Sequence, residues 1–227
     1  FRFKDEKELL KETFRIIWSY PMIITFNGDN FDLPYLFYRA DKLKIPRELN
    51  PISVTRGYGF MIKTNAEIKH GFHLDLYQVF SNRSLKGYAF GGDWLRNGLE
   101  EISMHMLGEG KVKHTDIPID RMHICDLVYY NLYDSILTLD LTRVNDNLVL
   151  NLLIILARIT KLPLNDLFRS QISLWIRSLL YYEHRFRNIL IPNRKEIRAS
   201  TLDADDYLDD GDSDEVDYDG INFQGAY

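Results

Sequence analysis

Apolar residues recur at helical spacing from residue 5 to residue 19. Leu9, Leu10, Phe14, Ile17 and Trp18 share one face and Lys and Glu line the other, so this stretch predicts an amphipathic helix that Pro21 stops. Met22 to Phe26 is an unbroken apolar run, short enough to predict a buried strand. Asn27-Gly28-Asp29-Asn30 reads as a turn. Asp32 to Lys44 predicts a second helix, with Leu33, Leu36, Phe37 and Ala40 at helical spacing. Helix, buried strand, turn and helix in that order point to an α/β domain.

Further along, Ile52 to Ile68 alternates loosely around Gly57 and Gly59 and predicts a β-hairpin. Phe72 to Phe80 reads as another strand and Ser81 to Gly92 as a loop. Leu95 to Leu107 and a long stretch from Ile124 to about Ile159 read as helices. Pro163 ends that region, a further helix runs from about Leu167 to Arg187, and Pro192 closes it. The expected organisation is a domain over residues 1–157, a helical connection over 158–200, an acidic linker over 201–220 and the start of another domain over 221–227.

Composition narrows the class. The chain has 227 residues, 45% hydrophobic and 27% charged, enough for a packed core. No run of about 18 apolar residues occurs, so no membrane-spanning helix is expected. Cys125 is the one cysteine, which rules out an internal disulfide and a thiolate zinc site. It lies in the apolar stretch Met122 to Val128, is expected in the core, and suits a cytoplasmic protein. The opening Phe1-Arg2-Phe3-Lys4-Asp5 has no signal-peptide character and no Met, so the chain is expected to begin mid-protein.

The formal net charge of −5 conceals an asymmetry. Ten of the 33 acidic residues fall between Asp203 and Asp219, and no Lys or Arg follows Arg198. The preceding body is mildly basic, which is compatible with a polyanionic substrate. The acidic segment reads as a flexible linker, because its like charges repel and its few apolar residues cannot form a core.

Two carboxylates stand out. Asp32 follows the first strand and its turn and opens a helix, where the helix dipole favours negative charge. The end of a central strand is also where α/β folds place their sites, although position alone favours a plain helix cap. Asp134 lies four residues after Tyr130, so phenol and carboxylate share a helix face with Leu127, Leu137 and Leu141. A partly buried Asp134 needs a cation, a donor or a metal, and a purely structural Tyr–Asp pair would satisfy it too.

Phe26-Asn27-Gly28-Asp29-Asn30-Phe31-Asp32-Leu33-Pro34-Tyr35-Leu36 closely resembles the second exonuclease motif of archaeal family B DNA polymerases. Tyr130-Asn131-Leu132-Tyr133-Asp134 resembles the third. Phe72-His73-Leu74-Asp75-Leu76-Tyr77 looks like the family's strand after the hairpin. Arg169 to Trp175, continuing to Arg187-Asn188-Ile189-Leu190-Ile191-Pro192-Asn193, resembles the connection toward the palm. The likeness covers nearly the whole chain except the acidic insert and is greatest to the crenarchaeal replicative type.

The resemblance implies an RNase H-like exonuclease fold, a mixed sheet flanked by helices, with a helical extension. It implies DNA-directed DNA polymerase activity in the parent protein, with this portion carrying the proofreading 3′→5′ exonuclease. Four carboxylates hold two magnesium or manganese ions in the family. Asp32 and Asp134 match two of them, and are expected to face each other closely enough to share one metal. Tyr130 matches the tyrosine that orients the attacking water, and Asn27 and Phe31 match residues that hold the frayed primer end. The hairpin resembles the one that helps divide primer from template. The other two ligands, an Asp-x-Glu, are expected before Phe1, so the segment alone is expected to be inactive. Implied partners are primer–template DNA, the rest of the polymerase and a sliding clamp, in a nucleoid setting and without a membrane.

A second hypothesis stays open on sequence alone: a degenerate, non-catalytic exonuclease-like scaffold of a family B relative. An unrelated RNase H-like nuclease is disfavoured by the palm-like segment Arg169–Asn193. His105 and His114 read as surface or packing residues, and Trp175, Tyr181 and Tyr182 as core. Gly108-Glu109-Gly110 lacks the preceding strand of a nucleotide loop. Glu215 to Gly220 echoes half a calcium loop but lacks its closing Glu.

Overall fold

A computed structural model describes residues 5–56, 64–92, 94–110 and 121–191. The hairpin tip, His114 and the acidic segment Asp203–Asp219 lie outside these residues. The chain divides into two compact units, Phe1–Ser178 and Leu179–Tyr227.

The first unit opens with α1 (Glu6–Ser19), whose N-terminus is capped by the Asp5 carboxylate accepting from the Lys7 N–H. Strand β1 (Met22–Thr25) follows, then α2 (Asp32–Lys42). Strands β2 (Ile52–Arg56) and β3 (Thr64–Ile68) pair antiparallel, Ile52 opposite Ile68, and form the expected hairpin. Strand β4 (Phe72–Asp75) returns to pair parallel with β1, setting Met22 against Phe72 and Thr25 against Asp75. The order of helices, a parallel pair and a hairpin makes the unit α/β.

The parallel pair separates two hydrophobic clusters. Successive side chains of a strand point to opposite faces. Ile23 accordingly packs with the cluster of α1, α2 and the hairpin, built on Leu10, Phe14, Leu33 and Ile52. Ile24 packs with the larger cluster, which includes Leu74, Phe80, Ile102, Leu137 and Leu141. Although predicted as a buried strand, β1 is only half-buried, and among the described residues it pairs with β4 alone.

Several boundaries differ from the sequence pattern. The strand expected to run to Phe80 stops at Asp75, because the Asp75 carboxylate accepts from the Tyr77 N–H and caps α3 (Leu76–Ser81). The expected loop to Gly92 contains α4 (Arg83–Tyr88), capped by the Asn82 side chain. The helix expected from Leu95 begins at Leu99, as α5 (Leu99–Leu107). Before it, the Trp94 indole N–H bonds Asn97 and the Arg96 N–H bonds Glu101, which holds the chain out of a helix. Gly108 ends α5 in the left-handed conformation, φ 74°, so the Gly-Glu-Gly stretch serves a helix terminus.

The long helix is α6 (Ile124–Thr160), broken at Val144–Asn147. Asn145, Asp146 and Asn147 take left-handed backbone angles there, which Asn and Asp tolerate better than other side chains do. Cys125 is exposed, not in the core, because the register of α6 turns Ile124, Cys125 and Val128 outward while Leu137 and Leu141 turn inward. The helix expected from Leu167 is two: α7 (Leu164–Leu167) and α8 (Ile172–Phe186). Trp175 is buried in the core as expected, its indole N–H bonding the Leu167 carbonyl. In the second unit, Tyr181 and Tyr182 are exposed, contrary to their reading as core, and Tyr182 stacks on Phe186.

Candidate functional site

The turn between β1 and α2 carries three of the residues singled out from sequence: Asn27, Phe31 and Asp32. Asn27 adopts φ 66°, a left-handed angle that bends the chain away from the sheet. Its carbonyl accepts the Asn30 and Phe31 N–H groups, and its side chain accepts from the Asn30 amide at 2.8 Å. Gly28 approaches Thr25 so closely that an added Cβ would overlap the threonine side chain, 2.6 Å from its Cβ. Phe31 is 67% exposed and lies nearly parallel to Tyr35, ring centroids 6.4 Å apart. Asp32 begins α2 and is exposed too.

Behind the turn lies a buried polar cluster that sequence reasoning missed. The Asp75 carboxylate accepts the Asn27 N–H at 2.7 Å and the Asp29 N–H at 3.1 Å. The Asp29 carboxylate receives Arg169 through two bonds, from Nε at 2.9 Å and Nη2 at 2.8 Å. His73 Nδ1 lies 3.2 Å from Asp29 Oδ1, and His73 Nε2 is 2.8 Å from the Thr25 hydroxyl. Asp29, Asp75 and His73 have almost no contact with solvent. The sequence signal was present in the polar letters of Phe72-His73-Leu74-Asp75, since a strand that places His and Asp on one edge of an apolar run must satisfy them in the interior.

Electrostatics separates the three carboxylates. Burial opposes ionisation of Asp29, but the hydrogen bonds from His73 and Arg169 overcome it and hold its pKa below the usual range. Burial raises the pKa of Asp75, helped by the nearby Asp29 and opposed by the backbone N–H groups it accepts. Lost hydration also raises Asp32, although much of that residue is open to solvent.

Tyr130 and Asp134 sit one turn apart on α6 and are half-buried, as the helical spacing predicted for Asp134. Leu137 and Leu141 continue their face into the core, where Tyr133, Ile24 and Phe26 also pack. The structure thus brings Asn27, Phe31 and Asp32 together on one turn and Tyr130 and Asp134 together on another. A shared core at the end of β1 connects the two groups, and no cluster of ligands joins them: among the described residues, no three His, Cys, Asp or Glu side chains gather to hold a metal. His105 packs against the Trp94 ring, as a packing histidine would.

Residues 1–89 match the model of the DNA polymerase family B exonuclease domain. The chain is 45% identical to DNA polymerase 1 of Sulfolobus acidocaldarius over 195 residues, 86% of this chain and 21% of that protein. It is 43% identical to DNA polymerase 1 of Aeropyrum pernix over 86% of this chain and 20% of that protein. To DNA polymerase 1 of Saccharolobus solfataricus it is 40% identical over 88% of this chain and 22% of that protein. The chain therefore spans about a fifth of the length of these relatives. Motif, matched domain and relatives agree, and the chain belongs to the family B DNA polymerases of the crenarchaeal type, within their exonuclease region.

Proposed function

We propose that this segment is the proofreading 3′→5′ exonuclease portion of a DNA-directed DNA polymerase, an RNase H-like domain that hydrolyses the last phosphodiester of a frayed primer. The observation that carries this is the turn Asn27–Asp32. Its backbone is fixed by Asp75, while Phe31 and Asp32 are exposed and Asn27 is half-buried beside them.

The chemistry of the donor set suits hard divalent cations, magnesium or manganese, because Asp32 and Asp134 offer carboxylate oxygens only. These two would supply part of a ligand set completed outside the described residues. A pair of such ions, when bound, activates water and stabilises the leaving oxygen of an in-line displacement. The chain's own residues do the rest. Phe31 stacks on an unpaired base without regard to its identity, as removal of any mismatch requires. Asn27 bonds the primer end beside it. The Tyr130 phenol holds the attacking water by a hydrogen bond without competing as a metal ligand.

Residues 158–200 then lead toward the palm, and residues 201–220 form an acidic linker before it. The substrate is primer–template DNA with a frayed 3′ end, and the remaining polymerase chain and a sliding clamp are the expected partners in the cytoplasm. No helix among the described residues is long and apolar enough to cross a membrane.

The test uses the full-length protein, magnesium and a primer with a mismatched 3′ end. Asp134→Ala should abolish single-turnover excision and leave nucleotide addition intact. Normal excision by that variant would make Tyr130 and Asp134 a structural pair. An unmodified protein that extends but never excises would show a scaffold.

A further inference from the structure

The buried ion pair between Asp29 and Arg169 spans 140 positions of sequence and joins two segments with different tasks. Asp29 lies in the middle of the turn that presents Asn27, Phe31 and Asp32. Arg169 follows α7 and is held in its own right. Its Nη1 donates to the Asn165 carbonyl at 3.1 Å, its Nη2 also reaches the Ala66 carbonyl at 3.4 Å, and its guanidinium lies over the Phe168 ring. The segment around it is rigidly tied. The Asn82 amide donates to the Phe168 and Ser170 carbonyls, and the Trp175 indole N–H bonds the Leu167 carbonyl and the Ser170 hydroxyl. Arg169 has 8% of its side chain exposed and Asp29 none.

We infer that Arg169 and Asp29 are positioning residues for the nuclease turn: the fork of Arg169 fixes where Asp29 sits, and Asp29 fixes the turn that carries Asn27, Phe31 and Asp32. The inference rests on the nuclease reading above. Three features set the pair apart from a general staple of the fold. Its geometry is two-pronged, and so fixes orientation as well as distance. It grips the turn at its centre, between Asn27 and Asp32. Neither of its bonds takes up the side chains of Phe31 and Asp32, which stay exposed. The arrangement also makes the α7 segment, the start of the connection toward the palm, a mechanical support of the excision site.

The experiment compares Arg169→Lys, which keeps the charge and loses the fork, and Asp29→Asn, which keeps the shape and loses the charge, in the full-length protein. Single-turnover excision of a mismatched primer should fall about a hundredfold, the cost of a displacement of about 1 Å at a reacting centre. The DNA concentration giving half-maximal excision should rise, because the turn also carries Asn27 and Phe31, and the rate of primer extension should stay unchanged. Hydrogen exchange of the amides at residues 27–31 should quicken about tenfold or more beyond any change in α1 and α5, as local opening requires. Excision at the unmodified rate in both variants overturns the inference. So does a joint loss of excision, extension and protection in α1 and α5, which would make the pair a support of the whole fold. If the unmodified protein extends but does not excise, the nuclease reading fails instead, and the exchange measurement still decides whether the pair holds the turn.

Discussion

The carboxylate of Asp75 accepts the backbone N–H of Asn27 at 2.7 Å, so the last residue of one parallel strand holds the turn that leaves its neighbour. The same carboxylate takes the Asp29 and Tyr77 N–H groups, so one side chain serves three backbone donors. Asp75→Ala should leave these donors without an acceptor, at about 1–3 kcal/mol for each one buried. Urea unfolding should show a midpoint lowered accordingly, with an unchanged slope. A variant as stable as the unmodified chain would mean that water replaces the carboxylate.

Asp29 gives a pH signature. Its folded pKa lies below its unfolded value, so the stability it contributes is present above that unfolded value, about 3.9, and is lost as pH falls through the folded pKa. Asp29→Asn leaves Arg169 buried with a weaker partner and should cost about 3 kcal/mol at neutral pH. The difference in melting temperature between variant and unmodified chain should shrink as pH falls below about 4. A difference that is constant with pH would mean that the Asp29 charge contributes nothing.

Phe31 is largely exposed, so Phe31→Ala should change stability by no more than about 0.5 kcal/mol. Loss of its ring should weaken binding of a frayed 3′ end by about tenfold, within the 1–3 kcal/mol per base that stacking supplies. Fluorescence anisotropy with a labelled mismatched primer checks this. Equal affinity would remove Phe31 from the DNA contact.

Tyr130→Phe removes one hydroxyl and leaves both proposed metal-binding carboxylates. Excision should slow by about 10²-fold and not cease, as expected for one orienting contact. Single-turnover digestion with the full-length protein measures it. A loss as complete as that of Asp134→Ala would assign the phenol a larger part than holding water.

Gly28 has no room for a side chain. A Cβ there would overlap the Thr25 side chain, whose hydroxyl is bonded to His73. Gly28→Ala should destabilise by about 1–3 kcal/mol, as overpacking does. Thermal unfolding tests this, and a neutral result would show that Thr25 can turn away at no cost.

What the sequence determined by itself was local. Helical spacing from Leu9 to Trp18, the apolar run Met22–Phe26 and the Asn-Gly-Asp-Asn turn placed α1, β1 and α2, because each rests on contacts between near neighbours. The motif around Asp32 indicated a family through an eleven-residue pattern that needs no tertiary knowledge. Capping defeated the pattern elsewhere: Asp75 and Asn82 end one element and start the next through their own side chains, and apolar periodicity does not register that. The register of α6 likewise turned Cys125 outward, where a local apolar run suggested the interior. Only the tertiary structure brought Asp29, His73, Asp75 and Arg169 together. Their pairing depends on a parallel strand 48 positions away and on a helix end 140 positions away. A buried charge is tolerable only beside its partner, and no local stretch of sequence says which distant residue that partner will be.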